Sequence, residues 1–154
     1  MAEQHLDDVY GYLVYLTRSP QLAEDLTAET FEKALRLWSR FDPRRASART
    51  WLCQIARTAA LDLFRAEERR RRREERAADL DVVEASLAEG LSPELEEALA
   101  SLSAGEREVI ALRVLLELDG DEAARVLGIS PTAVSTRLSR ALRKLEERMG
   151  HVAV

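Results

Sequence analysis

Cysteine occurs once in these 154 residues, at Cys53, while histidine occurs twice, proline four times and glycine six times. A single thiol can close no internal disulfide, the state expected of a cytosolic protein, and it is expected to behave as a small buried hydrophobe. With only His5 and His151 beside it, it makes no recognisable metal site. No apolar run approaches the roughly 20 residues of a membrane span, and no signal peptide opens the chain, so a cytoplasmic protein without membrane insertion is expected. Aromatic residues are only 5% of the chain. There is no phosphate-binding glycine loop, no nucleophile beside a base and no metal cluster, so neither enzymatic chemistry nor a cofactor is expected.

Alanine, leucine, glutamate and arginine dominate instead, with 46% hydrophobic and 33% charged residues, which favours helices throughout. The length suits one medium domain or two small ones. The net charge of −5 looks wrong for a nucleic-acid binder until it is divided along the chain. Residues 1–60 and 101–154 each carry 8 basic and 8 acidic groups, whereas residues 77–100 carry 7 acids and no lysine or arginine. The deficit therefore sits in one segment, and the helices on either side keep local positive faces.

The most informative stretch is DGDEAARVLGISPTAVSTRLSRALRKLEERM, Asp119 to Met149. Asp119 can cap a helix that carries Ala123, Ala124 and Leu127 on one side, and Gly128 can end it in the left-handed conformation. Ile129 plugs the corner, Ser130 caps a second helix, and Pro131 takes its first position. Val134, Leu138, Ala141, Leu142 and Leu145 then share one face. The opposite side shows Thr132, Thr136, Arg140 and Arg143, with Ser135, Arg137 and Lys144 on its flanks. Close packing at Ala124 and reversal at Gly128 give the order of a helix-turn-helix, and hydroxyls and arginines crowd the half of the second helix that would enter a major groove.

Upstream, Leu6, Val9, Tyr10, Leu13 and Leu16 predict a first amphipathic helix over 5–17, ended at Ser19-Pro20. A second helix follows over about 21–40, with Leu26, Phe31, Ala34, Leu35 and Trp38 inward and Asp25, Glu29, Glu32, Lys33 and Arg36 outward. An arginine-rich loop leads to a third helix from Ser47, whose apolar side is Leu52, Cys53, Ile55, Ala56, Ala59 and Leu63. The run RAEERRRRREER reads as its solvated extension, or else as arginines that touch phosphate. Pro93 opens another helix, and Ser103 caps one whose Val109, Ile110, Leu112, Leu115 and Leu116 supply a core for the helix-turn-helix. The tail from Gly150 is expected to fray.

Three segments together resemble the sigma factors of bacterial RNA polymerase, in the small extracytoplasmic-function group of the sigma-70 family. AEDLTAETFEKAL is similar to that family's polymerase-binding helix, and FDPRRASARTWLCQIARTAALDLFR to the segment that grips and melts the promoter −10 element. LSAGEREVIALR followed by ARVLGISPTAVSTRLSRAL resembles its reader of the −35 element. The resemblance implies that Asp25, Leu26, Glu29, Thr30 and Lys33 dock on the clamp of the largest polymerase subunit. It implies −10 contacts by Arg44, Arg45, Arg49, Trp51, Arg57 and Arg65, Trp51 being placed either to stack on DNA or to anchor its helix, and Asp62 to pair with an arginine. It implies −35 contacts by Thr132, Ser135, Thr136, Arg137, Arg140 and Lys144. Core RNA polymerase (clamp and flap region), promoter DNA and an anti-sigma factor are the implied partners.

The chain departs from the family pattern at Ala28, where glutamine is common, and at Thr58, where asparagine often stands. It also has Glu117 for a usual glycine and Gly120 for a usual aromatic. The fold expected is all-α: a domain over 1–66, a flexible acidic linker over 67–98 that either mimics RNA in the polymerase channel or serves as a spacer, and a helix-turn-helix domain over 99–150. The competing reading is a stand-alone helix-turn-helix regulator, which gives the Asp25–Lys33 face no purpose.

Overall fold

Side-chain oxygens mark the helix starts. Ser19 accepts from Leu22 N–H at 3.2 Å ahead of α2 (Pro20–Arg36), and Ser92 from Leu95 N–H at 3.2 Å ahead of α4 (Pro93–Ala100). Ser130 accepts from Ala133 N–H at 3.1 Å ahead of α7 (Pro131–Gly150). In each case proline fills the first helical position, where no backbone donor is lost. Ser47 opens α3 (Ala48–Glu74) by accepting from Thr50 N–H at 3.2 Å. A reciprocal box of Ser103 and Glu106 opens α5 (Ala104–Ile110), and Asp119 caps α6 (Gly120–Leu127) through Glu122 N–H at 2.8 Å. The remaining helix of the first body is α1 (Ala2–Thr17).

These elements come from a computed structural model that describes residues 2–74 and 92–150. Among the described residues every regular element is helical. Residues 75–91, most of the expected acidic linker, and 151–154 of the expected frayed tail lie outside that description. Two parts of the 67–98 span are regular: α3 runs on to Glu74, and α4 begins at Pro93 and packs against α7.

α1, α2 and α3 pack on one another around Val9, Tyr12, Leu13, Ala23, Leu26 and Cys53. α4 to α7 form the second body around Leu99, Val109, Leu112, Leu118, Ala123 and Val134. Between α5 and α6 the chain takes a wide π turn over Ala111–Leu115, closed by Leu116 N–H to Ala111 O at 2.9 Å. Gly128, at φ 68, reverses the chain between α6 and α7, a conformation that glycine adopts without the Cβ penalty.

Several apolar residues turn the other way from the sequence pattern. α2 stops at Arg36 because Leu37 leaves helical geometry (φ −98, ψ 8), and a 3₁₀ turn over Trp38–Arg40 follows. Trp38 therefore falls outside the helical period and is 60% exposed, while Leu35, still within α2, lies beside the buried stripe of Ala23, Leu26, Thr30 and Ala34 and is 79% exposed. Leu115 in the π turn, Leu6 and Leu142 are exposed as well, while Tyr12 and Leu118 take buried places that the pattern did not assign.

The two bodies also meet. α1 touches α5, α3 touches α6, and one buried cluster runs through both. Glu108 of α5 accepts on Oε1 from Tyr12 Oη at 2.7 Å and from Arg57 Nε at 2.6 Å. Thr50 Oγ1 donates to Glu122 Oε2 at 3.0 Å, and Gln54 Nε2 to Arg125 O at 3.1 Å. Thr50, Gln54 and Arg57 recur at helical spacing, so one face of α3 supplies three of these cross-body donors, and Tyr12 of α1 supplies the fourth.

Candidate nucleic-acid interface

α7 is anchored by its apolar stripe. Val134 and Ala141 are wholly buried against α5 and α6, with Leu138 and Leu145 partly covered. That burial fixes the rotation of the helix and turns Thr132, Ser135, Thr136, Arg140 and Arg143 to solvent. Thr132, Thr136, Arg137, Arg140, Arg143 and Lys144 line one open groove, walled on the α5 side by Ser103, Gly105 and Glu106.

Two cations of this set are held in place. Lys144 Nζ lies 2.9 Å from Glu106 Oε1, and that carboxyl also accepts from Ser103 N–H at 2.9 Å. The Lys144 hydrogen bond first, then the Ser103 backbone donor, hold Glu106 below the ordinary carboxylate pKa. Arg137, half-buried, lies over Gly105, where an added Cβ would come within 3.3 Å of its Nη1. Glycine thus permits the close approach. Arg140 and Arg143 carry no ion-pair partner among the described residues, which leaves their donors open for a base edge or a phosphate.

The first body carries a second basic region. Between Lys33 and Leu61 the chain has seven lysines and arginines and one acid, Asp42. Arg44 and Arg45 stand exposed on the loop before α3, Arg44 only loosely tied to Asp42 at 3.4 Å. Beside them Trp38 stacks on Phe41 (centroids 5.3 Å, 28°), and Trp51 approaches Phe41 at 5.0 Å and Trp38 edge-on at 6.0 Å. Trp51 thus anchors α3 to this turn with its ring half-exposed, and the more open face belongs to Trp38. Exposed aromatic rings beside arginines are what stacking on unpaired bases requires.

Not every expected residue is free for DNA. Arg49 pairs with Asp8 at 3.7 Å. Arg65 is exposed beside Asp62 at 3.7 Å, the pairing expected of that acid. Arg57 is held by Glu108 at 2.6 Å in the seam between the bodies, so in this arrangement it is not free for the −10 strand. Glu108, Tyr12 and Glu122 are the partners that local sequence could not reveal, since 51 and 96 residues separate Arg57 and Tyr12 from Glu108.

On α2, Asp25 and Glu29 are exposed, and Lys33 pairs with Glu29 at 3.0 Å. Leu26 and Thr30 are buried, with Thr30 Oγ1 donating to Leu26 O at 2.7 Å. They cannot belong to an exposed docking face in this arrangement. Their role is to seat α2 on its neighbours, and Leu35 and Arg36 extend the outer face in their place.

Comparison with known proteins agrees with both halves. The Sigma-70 region 2 family matches residues 1–70, and Sigma-70, region 4 matches residues 92–145. The ECF RNA polymerase sigma factor BldN of Streptomyces coelicolor is 36% identical over 151 residues, covering 93% of this chain but only 56% of the longer relative. ECF RNA polymerase sigma factor SigX of Bacillus subtilis is 30% identical over 152 residues, covering 92% of this chain and 78% of the relative. The fold matches the sigma factor RpoE in its complex with the anti-sigma factor NepR from Bartonella quintana, with TM-score 0.79 at 24% identity over 96% of this chain and 92% of that one.

Proposed function

Since the chain belongs to the ECF sigma factors of the sigma-70 family, the promoter-specificity subunits of RNA polymerase, we propose that it grips promoter DNA with two separate surfaces while docked on core polymerase. α7 reads the −35 duplex through Thr132, Ser135, Thr136, Arg137 and Arg140. The Arg44–Arg45 loop and the Trp38, Phe41 and Trp51 rings hold the −10 strand as it opens. Unpairing costs a few kcal/mol, which stacking and phosphate contacts must offset. Asp25, Glu29 and Lys33 face the polymerase clamp, and no step requires covalent chemistry or a cofactor.

The observation that carries this reading is the exposed polar face of α7, held outward by a buried stripe on its other side. A stand-alone regulator shares that face but has no use for the basic aromatic turn at Trp38 or the acidic face of α2. The reading also demands movement. Elements roughly 25 base pairs apart lie about 85 Å apart at 3.4 Å per pair, whereas a packed chain of this length has a radius of gyration near 15 Å by the general scaling of folded domains, on the order of 2.2·N^0.38 Å. The two bodies must part on the promoter, releasing Arg57 from Glu108. A partner that kept them together, such as an anti-sigma factor, would silence the protein. Band-shift assays on duplex promoter DNA should show tight, specific binding only when core polymerase is added; tight binding by the chain alone would favour the stand-alone regulator.

A further inference from the structure

The first turn of α5 carries a glycine that its backbone does not require. Gly105 stands inside a helix, where glycine is disfavoured against alanine, and among the described glycines only Gly128 has a positive φ. Gly105 is also the one described glycine whose missing side chain has a neighbour. A Cβ there would stand 3.3 Å from Nη1, 3.6 Å from Cζ and 3.7 Å from Cδ of Arg137, so the Arg137 side chain lies lengthwise over the bare Cα. No carboxylate pairs with that guanidinium among the described residues, and its donors stay open.

The next residue treats a second cation in the opposite way. Glu106 is buried, and its Oε1 accepts from Ser103 N–H at 2.9 Å and from Lys144 Nζ at 2.9 Å. The Ser103 bond is half of the capping box that starts α5, so the carboxylate cannot turn away without opening that turn. Lys144 is thereby tied to α5 although its side chain is half-exposed. Arg137 and Lys144 lie seven residues apart, two turns of α7, and both point to the α5 wall of the groove.

Taking α7 as the reader of the −35 duplex, on which this rests, we propose that Gly105 and Glu106 are positioning residues for that readout. Gly105 seats Arg137 as a free donor at the edge of the groove, and Glu106 withholds Lys144 from the phosphates. α7 alone presents a row of cations, and the α5 turn decides which of them address DNA. The carboxylate in the wall also trims the sequence-independent attraction to phosphate, which leaves more of the binding to base edges.

The test uses holoenzyme assembled from the full chain and core polymerase, titrated with a labelled −35 duplex at several salt concentrations. Gly105→Leu fills the seat with a good helix former. It should weaken binding about fivefold, the low end for a lost base-edge contact, without lowering the thermal midpoint of the chain. In an Arg137→Ala background the same substitution should cost nothing further. Glu106→Gln keeps an acceptor for the Ser103 cap but drops the charge. It should steepen the fall of log affinity with log salt by about 0.9, the value of one more phosphate contact, and Lys144→Ala should remove that increment. Binding unchanged by Gly105→Leu while Arg137→Ala weakens it, a Gly105→Leu loss that persists without Arg137, or a salt slope indifferent to Glu106→Gln would each overturn the proposal and leave α7 as the −35 reader. Binding indifferent to Arg137→Ala and Arg140→Ala together would overturn that reading and the proposal with it.

Discussion

Glu108 and Arg57 meet across the two helical bodies at 2.6 Å, with the Tyr12 hydroxyl sharing the same carboxylate oxygen at 2.7 Å. The Glu108 side chain keeps 10% of its surface and that of Arg57 26%, so the pair is screened far less than a surface bridge. Glu108→Ala should leave Arg57 and Tyr12 without their acceptor and destabilise the packed chain by about 1–3 kcal/mol, the cost of unsatisfied polar groups rather than of a fully buried broken pair, because Arg57 stays partly wet. Urea unfolding measures the loss. A fluorophore pair with one dye on each body should show the mean separation increase, and an unchanged separation would mean that this contact does not hold the bodies together.

On α7 two neighbouring cations should behave differently. Arg140 is exposed and unpaired among the described residues, whereas Lys144 already bonds Glu106 at 2.9 Å. Arg140→Ala should weaken holoenzyme binding to a −35 duplex by about 1–3 kcal/mol if it reads a base edge. Lys144→Ala should matter less for binding. Titrations at several salt concentrations separate the two, and an unchanged affinity and salt slope for Arg140→Ala would remove it from the interface.

Trp38 and Trp51 are the only tryptophans in the chain. Trp51→Phe therefore makes Trp38 the sole indole reporter. Its emission should be quenched by single-stranded DNA in the presence of Arg44 and Arg45, and much less when both arginines are replaced by alanine. Trp38→Ala should lower the yield of open promoter complexes while leaving core polymerase binding intact, and a loss of core binding would reassign Trp38 to the docking face.

Alkaline pH should loosen the first body. Burial pushes the Cys53 thiol from 9.0 up to about 12 and the Tyr15 hydroxyl from 10.0 up to about 12; burial first and Glu108 second raise Tyr12 as well. These groups are protonated in the folded chain at pH values where the unfolded chain has lost their protons. The stability they contribute is whole below about pH 9 and falls as pH rises towards 12. Urea midpoints from pH 7 to 11 should decline over the upper half of that range. Cys53 should resist alkylation at pH 8 until the chain unfolds, and rapid labelling of the native chain would contradict its burial.

Much of the fold can be read locally because its helix starts are chemical. Serine, aspartate and proline mark them, and Gly128 marks the reversal, all from residues within a few positions of each other. The outward face of α7 follows from the period of Val134, Leu138, Ala141 and Leu145. Trp38 escapes the same logic because the period continues in the sequence past Leu37, where the backbone does not, and Leu35 because the buried stripe of α2 runs through Ala23, Leu26, Thr30 and Ala34 beside it. Thr30 reads as an outward hydroxyl, yet its bond to Leu26 O lets it be buried within its own helix. The seam is not legible at all. Tyr12, Arg57 and Glu108 come from three distant helices, and no local spacing announces that an arginine expected at DNA is occupied by a carboxylate.

Transcription reconstituted from purified core polymerase, this chain and a promoter bearing its −35 and −10 elements tests the central claim most directly. The account predicts transcripts from one start site that require the chain and fall sharply when Arg44 and Arg45, or Arg140, are replaced by alanine. A chain that forms no complex with core polymerase, or transcripts indifferent to those arginines, would contradict it.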